Sequence, residues 1–310
     1  MTKRVFIDGS AGTTGLRIRE RLADRSDIEL ITLSEALRKD PAARKEALNS
    51  CDAAFLCLPD AAAVEAVSMV ENEKVTILDT STAHRTNPAF AYGFPELSAA
   101  HREKVASSNR IAVPGCHASG FIALVYPLIE AGVLSPDALL TCFSLTGYSG
   151  GGKKMIAEYQ DADRNPLLGT PRQYALGQSH KHLKEMSAVT GLKNAPLFSP
   201  IVGDFYSGMQ VSVPLFASQV KATPEEIRAL YRSKYNTPMV RYVDAADREG
   251  FLEAGTLSGL DCMAVTVDGN EDRILLSALY DNLGKGASGA AIECMNLRFG
   301  LPATEGLKID

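Results

Sequence analysis

Residues 4–15, RVFIDGSAGTTG, join a short apolar run to three glycines spaced three residues apart. The run at 4–8 has the β-branched and aromatic content of a strand, and a helix-like segment follows at 14–24. Glycines at such a turn let the backbone approach a pyrophosphate, which the free N–H groups at a helix start can bind. Because the spacing is GxxGxxG and not GxGxxG, the place of the turn between a strand and a helix supports a dinucleotide site more than the motif itself does.

The same alternation of strand and helix continues beyond this turn. Further strands are predicted at 28–33, 53–58, 75–79 and 111–113, and helices at 42–49, 61–71 and 98–105. Strands that alternate with helices predict a doubly wound parallel sheet of the Rossmann-like α/β class.

The pattern changes after about residue 140. Longer strands are predicted at 209–216, 262–268 and 273–280, with a hairpin turn at Asp268-Gly269-Asn270 joining the last two. A helix capped by Thr223, with Glu226 completing the capping box, precedes that pair. We therefore expect a second domain of the α+β class with a mixed sheet.

Composition narrows the class of protein. With 310 residues, two domains are the reasonable expectation, and 45% hydrophobic with 22% charged residues is typical of a globular protein. The net charge of −5 disfavours nucleic acid as a partner, and the longest apolar stretch, 121–129, is too short to span a membrane. The amino-terminal strand leaves no room for a signal segment, so a cytoplasmic location is expected.

One cysteine of six stands out by its position. Five are predicted to be small buried hydrophobic residues, since no two form a CxxC pair. Cys116 follows the strand at 111–113 and Pro114-Gly115, and it opens an apolar helix that runs to about Ala131. A helix amino terminus lowers a thiol pKa and so favours the reactive thiolate. We interpret Cys116 as a nucleophile; the alternative is a buried structural cysteine.

The end of the second strand bears on the choice of nucleotide. An NAD enzyme places an acidic residue there, but this chain has the neutral Ser34, then Glu35, with Arg38 close by. A hydroxyl with a guanidinium suits a 2′-phosphate, so NADP is favoured over NAD. The alternative is that Arg38 is a solvated helix residue. The complete set of predicted cofactor-binding residues in the first part of the chain is Gly9, Ser10, Gly12, Thr13, Thr14, Gly15, Ser34, Arg38 and Pro59.

A thiol nucleophile usually needs an acid–base partner, and His180 and His182 are the candidates. Residues two apart do not share a helix face, so both can contact one ligand only if His180 lies before the helix. A metal site would need a third ligand, and no metal is expected. The other three histidines, His84, His101 and His117, are predicted to be surface or capping residues.

Two loops are suited to anions. Residues 79–85, DTSTAHR, follow a strand and bring Arg85 towards the same sheet edge. Residues 147–154, GYSGGGKK, combine exposed backbone N–H groups with Lys153 and Lys154. The alternative for each is a flexible, solvated loop.

Taken together, these segments resemble the N-acetyl-gamma-glutamyl-phosphate reductase family, of its shorter variety, within the aspartate-semialdehyde dehydrogenase superfamily. The resemblance runs through most of the chain. It is carried by residues 9–15, 79–85, YGFPEL (92–97), PGCHASG (114–120), GYSGGGKK (147–154), HKHLKE (180–185) and DNLGKGASGAAIECMNLRFGL (281–301).

The resemblance implies NADP-linked reduction of an acyl phosphate, N-acetyl-glutamyl 5-phosphate, to an aldehyde in arginine biosynthesis. It makes Cys116 the nucleophile and His180 or His182 the acid–base group, oriented by Glu185. It assigns Arg85 and Lys153 to the phosphate and carboxylate of the substrate. It also assigns Ser149 and Asn282 to the nicotinamide half of the cofactor.

The family organisation sets the expected domains. Residues 1–115 with 284–310 would form the NADP-binding domain, and 116–283 the catalytic and dimerisation domain of a homodimer or homotetramer. Three other readings remain open: an aspartate-semialdehyde dehydrogenase, a cysteine hydrolase or acyltransferase without redox activity, and a cofactor-sensing binding protein with a redundant cysteine.

Overall fold

The structure is a computed structural model that describes residues 2–310, and its contacts divide the chain into two compact units. The first unit contains the residues up to Gly115 and Ala287–Lys308, and the second contains Cys116–Gly286 with Ile309–Asp310. The strands are β1 Lys3–Asp8, β2 Ile28–Ile31, β3 Ala53–Leu56, β4 Thr76–Asp79, β5 Ala91–Tyr92, β6 Arg110–Ala112, β7 Thr141–Gly147, β8 Arg172–Gln173, β9 Leu197–Gly203, β10 Met209–Phe216, β11 Val240–Tyr242, β12 Met263–Gly269 and β13 Arg273–Tyr280. The α-helices are α1 Thr13–Leu22, α2 Pro41–Ser50, α3 Asp60–Ser68, α4 Ala99–Ser107, α5 Cys116–Glu130, α6 Gly152–Gln160, α7 His182–Thr190, α8 Pro224–Lys234 and α9 Gly289–Arg298.

The first unit is a parallel sheet with strand order β2-β1-β3-β4-β6-β5. Successive side chains of a strand point to opposite faces. Val5 and Ile7 of β1 therefore pack in one apolar cluster with α1, α4 and α9. Phe6 lies in a second cluster with α2 and α3. Helices cover both faces, which confirms the predicted doubly wound sheet.

The second unit is a mixed sheet with strand order β11-β12-β13-β10-β7-β9-β8. β10 pairs antiparallel with β13 and β7, whereas β7 pairs parallel with β9. Helix α5 packs against β10, β13 and α7. The predicted α+β domain with a mixed sheet is confirmed, and so is the capping box, in which the Thr223 and Glu226 side chains each bond the backbone N–H of the other.

Several predicted boundaries were wrong in detail. β2 ends at Ile31, two residues early, and the chain then turns at Ser34, whose carbonyl accepts from the N–H groups of Leu37 and Arg38. The hairpin between β12 and β13 turns later than predicted, because Gly269 still pairs with Ile274. β9 was missed because Pro200 and Gly203 lie inside it, and both residue types are unfavourable in strand interiors.

None of the helices in residues 2–310 is long and apolar enough to cross a membrane.

Candidate active site

The three glycines of the first turn have three different surroundings. Gly9 has a φ of +84°, and a Cβ there would lie 2.2 Å from the Cys57 carbonyl oxygen. A Cβ on Gly15 would lie 2.6 Å from the Gly9 carbonyl oxygen. A Cβ on Gly12 would meet protein only at 3.5 Å, and Gly12 is the N-cap of α1 without a side-chain cap. Gly9 and Gly15 thus permit the turn and the close packing of the helix, while Gly12 leaves a helix start open to an anion.

A cavity of about 450 Å³ lies beside this turn, within the first unit. Of the predicted cofactor-binding residues, Gly9, Ser10, Gly12, Arg38 and Pro59 line it. Thr13, Thr14 and Gly15 form the first turn of α1 and are not among its lining residues. Exposed Ser34 also lies outside it, and Thr32 and Leu33 line the cavity after the end of β2.

Four basic side chains line the cavity, and three of them, Arg19, Lys39 and Arg44, were not anticipated. Lys39 follows Arg38 directly, and a basic pair is a signal that sequence reading could have used. Arg44 gave no such signal, because its role depends on Asp8, whose Oδ2 it approaches to 2.9 Å.

Asp8 is the one acidic residue among the described lining residues, and Arg44 pairs with it. Arg38 is half-exposed and pairs with Glu35 at 2.9 Å. An open helix start, an apolar wall and the positive charges of Arg19 and Lys39 fit the adenosine phosphate half of a dinucleotide.

Cys116 is the first residue of α5, as predicted. The Tyr280 hydroxyl donates to the Cys116 carbonyl oxygen at 2.5 Å and accepts from the Gly120 N–H at 3.1 Å. Cys116 is a partly exposed residue, whereas Cys51, Cys142, Cys262 and Cys294 are buried. Cys57 is partly buried and lines the cavity of the first unit, so the prediction of five buried cysteines was right for four.

The second unit brings three histidines together. His180 lies just before α7 and His182 is its first residue, as contact of both with one ligand requires. Their ring centroids are 4.7 Å apart, and each lies 5.6 Å from the ring of His117. Glu185 is buried one turn after His182 on the same face of α7.

His117 is not the surface or capping residue that the sequence suggested. Its ring is buried, with Nδ1 2.6 Å from the Ser144 hydroxyl and Nε2 2.6 Å from the Tyr174 hydroxyl. Burial, together with the charge of His180, lowers the pKa of His117 to about 3. The prediction was wrong because the apolar helix α5 is buried on nearly all sides, so its second residue has no route to solvent.

His180 is half-buried, and its Nδ1 accepts a hydrogen bond of 3.2 Å from the His182 N–H. Burial and the charge of Lys181 lower its pKa. A neutral imidazole whose Nδ1 accepts must carry its proton on Nε2. His180 is therefore arranged as a hydrogen-bond donor.

The loop after β4 lies in the first unit. Arg85 is buried and donates from Nε to the Val113 carbonyl at 2.8 Å and from Nη2 to the Thr80 carbonyl at 2.9 Å. His84 was predicted to be a surface or capping residue, but it is buried, with Nδ1 2.6 Å from Asp79 Oδ2. His84 is buried because the Asp79 carboxylate, at the end of a buried strand, needs a partner.

The remaining predicted residues lie in the second unit. Asn282 is buried, donating from Nδ2 to the Ser149 hydroxyl at 3.0 Å and accepting the Gly208 N–H on Oδ1 at 3.0 Å. This side chain ties the glycine-rich loop before α6 to the end of β13. Lys153 lies exposed in the first turn of α6.

Family models match both parts of the chain. The family model described as semialdehyde dehydrogenase, dimerisation domain, matches residues 116–282, and the one described as semialdehyde dehydrogenase, NAD binding domain, matches 35–105. Among solved structures, aspartate semialdehyde dehydrogenase II of Vibrio cholerae, complexed with ASA, has a TM-score of 0.73 at 15% identity, covering 97% of this chain and 99% of that one. Aspartate semialdehyde dehydrogenase of Candida albicans, with NADP, has a TM-score of 0.66 at 15% identity, covering 96% and 98%. At this identity the likeness shows the fold alone.

Sequence relatives are much more similar. N-acetyl-gamma-glutamyl-phosphate reductase 2 of Nostoc sp. is 44% identical, over 98% of this chain and 99% of that protein. N-acetyl-gamma-glutamyl-phosphate reductase of Brucella ovis is also 44% identical, over 97% and 100%. The chain therefore belongs to the N-acetyl-gamma-glutamyl-phosphate reductase family, within the wider group of semialdehyde dehydrogenases.

Proposed function

We propose that the protein reduces N-acetyl-glutamyl 5-phosphate to N-acetyl-glutamate 5-semialdehyde and phosphate with NADPH, a step of arginine biosynthesis. The observation that carries this proposal is Cys116 at the start of α5. It occurs in a chain that is 44% identical, over nearly its full length, to two N-acetyl-gamma-glutamyl-phosphate reductases. The helix start supplies N–H groups and a favourable dipole, both of which stabilise a thiolate.

The first half of the reaction forms a thioester. The Cys116 sulfur attacks the acyl carbon, and the bond from that carbon to the phosphate oxygen breaks, so phosphate leaves with the electron pair. A base must first take the thiol proton. Because His180 Nε2 carries a proton in the neutral form, we assign the base to His182, with Glu185 orienting it.

The second half reduces the thioester. NADPH supplies the hydride when it is bound. As the carbonyl carbon becomes tetrahedral, its oxygen gains negative charge, which backbone N–H groups at the start of α5 and the His180 Nε2–H can stabilise. The carbonyl then re-forms, the carbon–sulfur bond breaks, and Cys116 returns as a thiolate while the aldehyde leaves.

The family match makes the first part of the chain an NAD(P)-binding domain, and we propose NADP specifically. Arg38 and Lys39 line the cavity after the end of β2, where a 2′-phosphate would add negative charge. The proposed contacts of the dinucleotide are Gly9, Ser10, Gly12, Thr13, Thr14, Gly15, Ser34, Arg38 and Pro59, with Ser149 and Asn282 for its nicotinamide half. We further assign Arg85 and Lys153 to the phosphate and carboxylate of the substrate.

The domain roles follow the same reasoning. We propose that residues 1–115 with 284–310 bind the nucleotide and that 116–283 carry catalysis and self-association. The match of 116–282 to a family domain named for dimerisation supports self-association. We propose that the protein is a homodimer or homotetramer in the cytoplasm. Light scattering of the purified protein measures the oligomeric state.

The experiment that tests the function is the reverse reaction. Phosphate-dependent reduction of NADP is followed with N-acetyl-glutamate semialdehyde and with aspartate semialdehyde in parallel. We expect activity with the acetylated substrate only. Preference for aspartate semialdehyde would make the protein an aspartate-semialdehyde dehydrogenase, and phosphate-independent consumption of an acyl substrate without NADP would indicate a hydrolase.

A further inference from the structure

We propose that the Tyr174 hydroxyl is a further catalytic group of this site, a hydrogen-bond donor to the oxygen of the tetrahedral species on Cys116, aimed by a chain of hydrogen bonds through His117 to Ser144. The inference deepens the proposed function, on which it rests. The residues involved all belong to the second unit.

The first support is position. Tyr174 Oη lies 2.6 Å from Nε2 of His117, the residue that follows Cys116, and the Tyr174 ring centroid lies 6.1 Å from that of His180. Burial and the charge of Cys116 raise the pKa of Tyr174. A phenol held in its protonated form beside the nucleophile can donate to an oxygen bonded to the same acyl carbon. No proton has to leave it: the hydrogen bond strengthens as the oxygen gains charge and weakens when the carbonyl re-forms.

The second support is the chain behind the hydroxyl. Tyr174 Oη lies 2.6 Å from His117 Nε2, and His117 Nδ1 lies 2.6 Å from Ser144 Oγ. Because burial keeps His117 neutral, one ring nitrogen donates and the other accepts. When Ser144 donates to Nδ1, the Nε2–H donates to the phenol oxygen and leaves the phenol hydrogen available for the substrate.

The third support is the backbone on either side of Tyr174. Its N–H donates to the Pro200 carbonyl at 3.1 Å, which continues the pairing of β8 with β9. The next residue, Ala175, has a φ of +53°, in the region that favours glycine. Gln178 also has a φ of +53°. Its side chain accepts from the N–H of Phe198 and donates to the carbonyl of Phe198, both at 2.8 Å. Backbone strain held in place by such bonds is concentrated at functional sites.

The His117 ring is buried among His180, His182 and Phe198, so it cannot reach solvent by itself. His117 thus acts through Tyr174, as a positioning residue. This explains why a buried histidine at the second position of α5 has hydroxyl partners on both nitrogens.

The test compares Tyr174→Phe with Tyr242→Phe as a matched control, which removes a hydroxyl from β11, at the opposite edge of the same sheet. We expect Tyr174→Phe to lower kcat by roughly 10²–10³-fold, the usual effect of removing one oxyanion donor, with KM and NADPH affinity within about twofold of wild type. The control should keep wild-type kcat. Unchanged kcat in a folded Tyr174→Phe protein, or a loss confined to KM, would overturn the proposal.

A double-mutant cycle tests whether Ser144 affects kcat through Tyr174 or independently of it. Ser144→Ala should lower kcat roughly tenfold in the wild-type protein but have little further effect in Tyr174→Phe, because the chain then ends at a ring without a hydroxyl. Additive losses would show that Ser144 acts independently and would refute the chain.

A second measurement does not depend on the natural substrate. Acylation of Cys116 by p-nitrophenyl acetate also passes through a tetrahedral oxyanion, and its single-turnover burst of nitrophenolate should slow in Tyr174→Phe and not in Tyr242→Phe. If the wild-type protein is acylated by the ester but oxidises neither N-acetyl-glutamate semialdehyde nor aspartate semialdehyde, the proposed function fails while Tyr174 is still tested. A burst unchanged by Tyr174→Phe would exclude the hydroxyl from the chemistry.

Discussion

The hydroxyl of Tyr280, at the end of β13, bridges the carbonyl oxygen of Cys116 and the N–H of Gly120. These are the two groups that the i to i−4 ladder of an α-helix joins. Gly120 is needed for this contact, because a Cβ there would lie 2.7 Å from the tyrosine oxygen. The Tyr280 side chain thus ties the first turn of α5, which begins with the proposed nucleophile, to the sheet of the second unit.

Removing that hydroxyl should loosen the first turn. We expect Tyr280→Phe to lower the free energy of unfolding by about 1–3 kcal/mol, the usual cost of leaving a buried polar group unsatisfied. Turnover should fall with it, because the sulfur would be less well placed. Chemical denaturation and steady-state kinetics measure the two effects, and a variant with unchanged turnover would show that α5 holds Cys116 without the bridge.

Cys116→Ser tests the covalent scheme. The hydroxyl of serine is a far weaker nucleophile at neutral pH, so reductase turnover should fall by several orders of magnitude. Calorimetry should find NADPH affinity near that of wild type, and the mass spectrum of the wild-type protein under single-turnover trapping should contain an acylated Cys116. Substantial turnover of the serine variant would contradict the thioester.

The glycines of the first turn allow a matched pair of substitutions. Gly12→Ala adds a methyl group where protein atoms come no closer than 3.5 Å, so stability should hold while NADPH affinity falls. Gly15→Ala places a methyl group 2.6 Å from the Gly9 carbonyl, so the melting temperature itself should drop. Equal affinity for NADPH in Gly12→Ala and wild type would argue against binding of the pyrophosphate at this helix start.

The choice of nucleotide can be tested at the end of β2. Arg38→Ala and Lys39→Ala should each weaken NADPH much more than NADH, since only NADPH carries the 2′-phosphate. Arg102→Ala, an exposed arginine of α4, is the control for loss of a positive charge. Titration of both nucleotides by fluorescence gives the ratio, and an equal loss for the two would mean that neither side chain recognises the 2′-phosphate.

The buried His117 predicts how stability depends on pH. Its pKa is about 3 in the folded protein and near 6.5 when unfolded. Below pH 6.5 the unfolded chain binds a proton that the folded chain does not, so stability falls as pH decreases from 6.5 towards 3. The slope should approach about 1.4 kcal/mol per pH unit from this residue. Urea denaturation at pH 7 and pH 5 should show a smaller difference for His117→Asn than for wild type; an equal difference would mean that His117 is protonated in the folded state.

Much of the fold could be read from local pattern. The strand–glycine–helix order at 4–24, the capping box at Thr223 and the opening of α5 at Cys116 are all local features, because they depend on backbone conformation and on neighbours a few residues away. β7 and β9 were not predicted, because their pairing is with strands far along the chain and their own residues include proline and glycine.

The candidate site also combines features that are local in sequence with contacts between distant residues. The sequence by itself determined the nucleophile candidate, the histidine pair and the glycine turn, since each is defined by the order of neighbouring residues and the torsions they permit. Only the tertiary structure decided that His117 is a buried partner of Tyr174, that Arg44 neutralises Asp8, and that Tyr280 holds Cys116. These pairs are 36 to 164 residues apart, and the sheet that brings them together follows from burial of apolar side chains over the whole chain, which no local motif records.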